Sequence, residues 1–394
     1  METKRPTFKI LIEILLVSTR LGFTSFGGPV AHLAYFHEEY VRRRKWMDEK
    51  SYADLVALCQ FLPGPASSQV GIGIGVMRAG VLGGITSFIG FTLPSVIALI
   101  LFAILLQRVD IGTAGWLHGL KIVAVAVVAH AILGMAQKLT PDLNRKAIAL
   151  FALVGTLMWQ TAYTQIGIIL LAGLLGFLIF KEHKEKIETV LTFPISKRLA
   201  TFCLVLFFGL LIILPIINQA TSISWLALFD SFYRSGSLVF GGGHVVLPLL
   251  EREFVPTWLT EEEFLSGYGA AQAVPGPLFT FSAYIGAVIN GWQGGLLATF
   301  AIFLPAFLLI LGALPFWNEL RSNPKIKGAL MGVNAAVVGI LIAAFYEPIW
   351  TSSILEAADF ALAAILFSML VYWKVPPWIV VVTGAIGGWF LSFI

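Results

Sequence analysis

Charge is scarce in this sequence. Only 12% of its 394 residues are Asp, Glu, Lys or Arg, about half the share usual in a soluble domain. Cysteine is rarer still, with two in the whole chain. Cys59 and Cys203 lie far apart in apolar stretches, which excludes a disulfide framework and a cysteine-based metal site. His37-Glu38 lacks the second histidine of a zinc helix, and no Walker sequence occurs, so no metal, cofactor or ATP is expected to act here. Without a cofactor motif, a metal-ligand cluster or a redox cysteine pair, the reading as an intramembrane enzyme lacks support. No polar stretch is long enough for a soluble domain. The net charge of +4 is dispersed over short loops and is not gathered into a nucleic-acid face.

What the chain has in quantity is apolar surface. Hydrophobic residues make up 58% of it, in runs of roughly 17 to 25 residues that recur from end to end. Each run is long enough to cross about 30 Å of hydrocarbon as a helix. Glycine (38) and proline (18) fall inside several of them, which membrane helices tolerate better than soluble ones. Residues 1–9 and the apolar run after them mimic a signal peptide, but no small-residue cleavage site follows, so a retained first helix is expected. The predicted fold class is an all-α polytopic membrane protein embedded in a lipid bilayer.

An internal repeat organises the runs. Arg20 and Phe26-Gly27-Gly28 recur as Arg234 and Phe240-Gly241-Gly242 at an offset of 214. Gln60-x-x-Pro63-Gly64-Pro65 recurs as Gln272-x-x-Pro275-Gly276-Pro277 at 212, and Gly83-Gly84 with Pro94 recurs as Gly294-Gly295 with Pro305 at 211. A slowly drifting offset is what duplication followed by small loop deletions leaves behind. The predicted organisation is a repeat over 1–180, a charged loop and linker helix over 181–221, and a second repeat over 222–394. A single extra crossing between the repeats would turn the second one upside down.

Loop charge tests that inversion, because Lys and Arg collect in short cytoplasmic loops. With the N-terminus inside, segments 1–9, 42–50, 138–146, 181–198, 318–327 and 373–377 hold 20 Lys and Arg. The alternate loops hold only Arg108 and Arg252. Equivalent loops carry opposite sign: Arg42-Arg43-Arg44-Lys45 corresponds to a loop bearing Glu251, Glu253, Glu261, Glu262 and Glu263. The pattern predicts inverted repeats with about 13 transmembrane segments, N-terminus cytoplasmic and C-terminus outside. Segments 8–41, 52–80, 224–250 and 263–291 each carry a glycine or proline break near the middle and read equally as helix pairs or re-entrant hairpins.

Four basic residues fall at membrane depth: Arg20, Arg78, Lys121 and Arg234. A basic side chain there costs about 2.5–3.5 kcal/mol on insertion scales, which makes each a functional-site hypothesis. Snorkelling to the headgroups is the competing reading for Arg78 and Lys121. Arg20 and Arg234 share one repeat position and are expected to face each other across a central site, where two guanidinium forks suit a tetrahedral dianion. The competing reading is a structural arginine–carboxylate pair, with Asp230 four residues before Arg234 and Glu13 seven before Arg20. The breaks at Gly27-Gly28-Pro29, Gly241-Gly242-Gly243, Pro63-Gly64-Pro65 and Pro275-Gly276-Pro277, with Gln60 and Gln272 beside them, complete the predicted substrate site. Unwound backbone at membrane depth lines cavities, and half-helix N-termini favour anions. Glu13, Asp54 and Asp230 are the candidates for proton coupling, ahead of His130 and His244. The Gly71-x-Gly73-x-Gly75 stripe reads as a close-packing face, within the chain or in a homodimer.

The paired Phe-Gly-Gly and Gln-x-x-Pro-Gly-Pro motifs, together with the basic residue at Arg20, resemble the chromate ion transporter (CHR) family in its long, two-domain form. The second copy departs from the pattern with Gly243 where the first has Pro29. The resemblance implies export of chromate, a sulfate-like dianion, across the bacterial inner membrane, conferring chromate resistance and driven by a proton gradient or the membrane potential. The residues themselves support only an oxyanion, so a general sulfate carrier and a passive anion channel stand as alternatives.

Overall fold

In the computed structural model the described residues are 8–107, 115–159, 161–180, 194–221, 223–240, 243–317, 320 and 323–393. They are helical nearly throughout, and no strand occurs among them. Five helices are long and apolar enough to cross a membrane, and three shorter apolar helices accompany them. The protein is an all-α, multi-pass membrane protein.

The first repeat opens with α1 (Phe8–Thr24) and α2 (Gly28–Phe36), the latter ending in a π-helical turn over His37–Arg43. Next come α3 (Glu49–Phe61) and α4 (Ala66–Leu106), then α5 (Gly115–Leu139), α6 (Leu143–Met158) and α7 (Ala162–Ile179). α8 (Lys197–Ala220) links the repeats. The second contains α9 (Ser224–Ser237), α10 (Val246–Phe254), α11 (Glu261–Ala271), α12 (Phe281–Ala313), α13 (Pro324–Ala344), α14 (Ala357–Val371) and α15 (Pro377–Leu391).

Each predicted break separates two helices. α1 ends before Gly27, which takes a left-handed φ of 97° that only glycine adopts without strain. α3 stops at Leu62 in extended conformation, and α4 restarts after Pro65. With 13 residues, α3 is only about 20 Å long, short of the hydrocarbon thickness.

The arms fold back on themselves. Arg20 pairs with Glu39, Ser18 bonds Tyr40 at 3.3 Å, and Arg44 reaches Glu13 at 3.0 Å, so α1 and the segment after the break run antiparallel. The second repeat repeats this: Arg234 pairs with Glu253, and Phe232 stacks on Phe254 with centroids 4.4 Å apart.

A further break lay hidden in the sequence. Within α4, Ala79 (φ −145°) and Gly80 (φ 65°, ψ −159°) turn the chain sharply. Asn290 (φ −145°) and Gly291 (φ 58°, ψ −160°) do the same within α12. The two arms of α4 then pack with Gly75 against Gly83 and Gly84 against Ile72 and Val76. The Gly71–Gly75 stripe is therefore used inside the chain: Gly71 faces Phe36 and Ser87, and Gly73 faces Leu55. It is not left over for a second copy.

The repeats exchange partners. α5 packs on α14 and α15 of the second repeat, while α13 packs on α6 and α7 of the first. Glycine allows the close approach on both sides, with Gly119 against Gly384 and Gly328 against Gly176. One apolar cluster consequently draws on both repeats, including Val123, Ala152, Tyr268 and Leu366.

The turns at Gly64 (φ 112°) and Gly276 (φ 104°) need glycine. Gly276→Ala is expected to lower thermal stability by more than the about 1–2 kcal/mol of left-handed strain, since its Cβ meets Ser95 Oγ at 2.8 Å. Gly64→Ala should cost nearer the strain alone. Gly134→Ala, at an open helical position, should be neutral or stabilising. Melting of the detergent-solubilised variants ranks the three, and equal melting of all of them would contradict this account.

Candidate functional site

The four breaks meet. The Gly64 N–H donates to the Val239 carbonyl at 2.7 Å, and the Gly276 N–H donates to the Ser25 carbonyl at 2.9 Å. Each Pro-Gly-Pro turn is thus bonded to the residue just before the Phe-Gly-Gly break of the other repeat. Gly64 also lies against Ala306, Gly276 against Ser95, and Gly243 against Pro29 and Leu278. Gly241 and Gly242 lie outside the described residues.

Local chemistry holds each turn. Pro63 and Pro65 supply no N–H, and the Pro63 carbonyl accepts from Gln69 Nε2 at 2.9 Å. Pro65 precedes the first turn of α4, which has no side-chain cap. In the second repeat Pro275 begins the turn, and the Pro277 carbonyl accepts from the Thr280 hydroxyl at 2.7 Å. Gln60 is exposed at the end of α3. Gln272 terminates α11, with its Nε2 on the Tyr268 carbonyl at 3.5 Å. The crossing can offer an anion backbone N–H groups at a helix start together with hydroxyl and ring donors.

The arginines do not follow the expected arrangement. Among the described contacts Arg20 and Arg234 do not meet; each is held by a glutamate 19 residues further on, Glu39 and Glu253. Arg234 binds Glu253 with both terminal nitrogens, at 2.6 and 2.9 Å, and Asp230 through Nε at 3.2 Å. Asn218 donates to the other oxygen of Asp230 at 3.4 Å. Arg20 is half exposed, and its partner Glu39 is also bonded by Arg43 and Arg44. The carboxylate reading of the arginines describes these contacts: Asp230 is the partner expected for Arg234, and to it the structure adds Glu39 for Arg20 and Glu253 for Arg234. Their signal was available: Glu39 and Glu253 stand at the same offset of 214 as the arginines.

Glu13 does not pair with Arg20. It takes Arg44 at 3.0 Å and Arg78 at 3.4 Å, while Arg44 and Arg78 also lie over the Trp46 ring at 5.6 and 4.8 Å. Arg78 therefore reaches the polar segment at 42–50, and Lys121, itself buried, reaches Glu262 at 3.3 Å. Asp54 is half-buried on α3. His244 is packed against Tyr268 OH at 2.8 Å. Gln165 of α7 and Ser235 line a small cavity beside Arg234 and Glu253, and their buried side-chain oxygens have no partner.

The two ion pairs differ in burial, and so in what their loss costs. Arg234→Ala leaves Asp230 (1% exposed) and Glu253 (13%) without a counter-charge and is expected to cost about 3–5 kcal/mol. Arg20→Ala removes a half-exposed partner from a glutamate that keeps two others and should cost about 1 kcal/mol or less. Thermal melting of both variants in detergent checks the order, and a reversed order would refute it.

The chromate transporter family model matches the chain twice, over residues 12–177 and 226–389. A probable chromate transport protein of Synechococcus elongatus is 29% identical over 94% of this chain and 92% of its own length. A chromate transport protein of Pseudomonas aeruginosa is 27% identical over 82% of this chain and 77% of its own. An uncharacterized transporter of Methanocaldococcus jannaschii is 26% identical over 84% and 83%. No solved structure matches. With both repeats matched, and with the paired breaks folded into one crossing, the chain belongs to the chromate transporter family.

Proposed function

We propose that the protein is a secondary transporter that exports chromate across the bacterial inner membrane, using the membrane potential or a proton gradient. The observation that carries this reading is the crossing of the four breaks, where Gly64 and Gly276 bond across the repeats. Interrupted helices that meet at membrane depth are how inverted-repeat carriers hold a substrate. Relatives named as chromate transport proteins align over most of the chain and give the anion its identity.

In this reading the described residues at the breaks, Gly27, Gly28, Pro29, Pro63 to Pro65, Gly243 and Pro275 to Pro277, form the passage. Arg20 and Arg234, on their glutamates, flank it. Asp230 with Glu253 is the better candidate for proton coupling, since two carboxylates share one arginine there. Glu13 is engaged by two arginines and is the weaker one.

The same reading gives the topology. Arg78, at the end of the first arm of α4, lies over Trp46, just before the start of α3. Segment 49–78 therefore returns to where it began. The thirteen segments then comprise four re-entrant hairpins and nine full crossings, with the repeats inverted, the N-terminus inside and the C-terminus outside.

Two measurements test these points. In proteoliposomes, radiolabelled chromate should accumulate against its gradient under an imposed potential or pH difference. Passive equilibration alone would make the protein a channel, equal handling of sulfate a general oxyanion carrier, and no flux would remove the function. For topology, Cys59 and Cys203 are buried, so Arg42→Cys and Thr257→Cys should react with impermeant thiol reagents from opposite faces. Reaction from one face would exclude inversion.

A further inference from the structure

The crossing is built from equivalent positions, but its two sides are chemically unlike. The first repeat places Ser25, His32, Ser67, Ser68, Gln69 and Thr92 there. At the matching positions the second repeat has Val239, Val246, Phe279, Thr280, Phe281 and Phe303. Thr280 is the one hydroxyl on that side of the comparison, and it is satisfied by the Pro277 carbonyl.

On the first-repeat side the side-chain donors outnumber their acceptors. His32 Nδ1 lies 3.3 Å from Ser67 Oγ, and its ring meets Phe91 edge-on at 5.5 Å, which fixes it against the first turn of α4. Its Nε2 has no partner, and neither do the hydroxyls of Ser25, Ser68 and Thr92. All four residues are at most 2% exposed. The segments that carry them meet at the Gly276 turn. Ser25 carries the carbonyl that receives Gly276, the Phe91 carbonyl lies beside Gly276, and Ser67 and Ser68 open α4 directly after the Pro63–Pro65 turn. Gln69 donates to Pro63, and its unpartnered Oε1 is an acceptor that takes no part in holding a dianion.

We propose that this side is the oxyanion-binding site, and that it holds a tetrahedral dianion with neutral donors. These are the hydroxyls of Ser68 and Thr92, His32 Nε2–H, and the N–H groups of the uncapped first turn of α4. Arg20 and Arg234 stay on their carboxylates. The inference rests on the reading that a sulfate-like anion passes the crossing. Its physical basis is that buried polar atoms are normally paired, and that a helix start with free N–H groups already favours an anion. Hydroxyls turn to meet four tetrahedral oxygens, and the His32 tautomer protonated at Nε2, in which Nδ1 accepts from Ser67, adds a donor beside the helix start.

The test is equilibrium binding of radiolabelled chromate to the purified full-length protein, with thermal melting of the same samples. Ser68→Ala and Thr92→Val are each expected to weaken binding about tenfold, and His32→Phe at least as much. Melting should be unchanged or raised for the two hydroxyl variants, because a hydroxyl without a partner stabilises nothing in the ligand-free protein. Ser68→Thr, which keeps the donor, should retain most of the affinity. Undiminished binding by Ser68→Ala and Thr92→Val would overturn the site while leaving the transport reading intact. A folded wild-type protein that binds no chromate would overturn the transport reading, and this site with it.

Discussion

In hydrocarbon an unpaired backbone amide has no water to turn to, and the rest of this fold depends on that constraint. Four interruptions among apolar helices would be untenable separately. They are tenable together because the turn of one repeat donates to the carbonyl that the break of the other leaves free, at Gly64 to Val239 and Gly276 to Ser25. The helix breaks are thus mutual, and the antiparallel arms exist to bring them together. Glycine at each donor position follows from the left-handed backbone, and at Gly276 from the close approach of Ser95 as well.

The charged groups follow a related economy. A guanidinium inside an apolar protein persists when carboxylates meet it, and Arg234 meets two. So satisfied, it has little capacity left for a substrate. A carrier also has to let go of what it binds, and an anion gripped by two desolvated arginines would leave slowly. Neutral donors bind a dianion by numbers and geometry, which makes release on rearrangement of the surrounding helices easier. The ion pairs then serve position: each ties the first helix of a repeat to the segment that returns from its break.

Much of this was legible in the chain. Repeated Phe-Gly-Gly and Pro-Gly-Pro motifs located the breaks, because glycine and proline act on the backbone whatever surrounds them. The glycine stripe at Gly71–Gly75 read as a packing face for the same reason. Pairings between distant segments were not legible. Glu39 lies in segment 8–41, which reads as a broken helix, and only folding shows it to be buried under Arg20, Arg43 and Arg44. The turn at Ala79–Gly80 hides in an apolar run whose composition continues unchanged on both sides. The facing of Arg20 with Arg234 was a symmetry expectation. Symmetry predicted equivalent partners, which the two have in Glu39 and Glu253, and contact between them did not follow.

The exchange of α5 and α13 between repeats has a consequence for how such a protein is made and how it could have arisen. The glycine faces of α5 find their matching surfaces on α14 and α15, which are synthesised last. Until then the first repeat sits in the bilayer with a groove open to lipid, so its early helices must wait for the chain to finish. A single repeat on its own would be left with the same open groove. Its natural complement would be a second polypeptide of similar shape, so that joining two such units on one chain would fix their ratio and supply each with the surface it lacks.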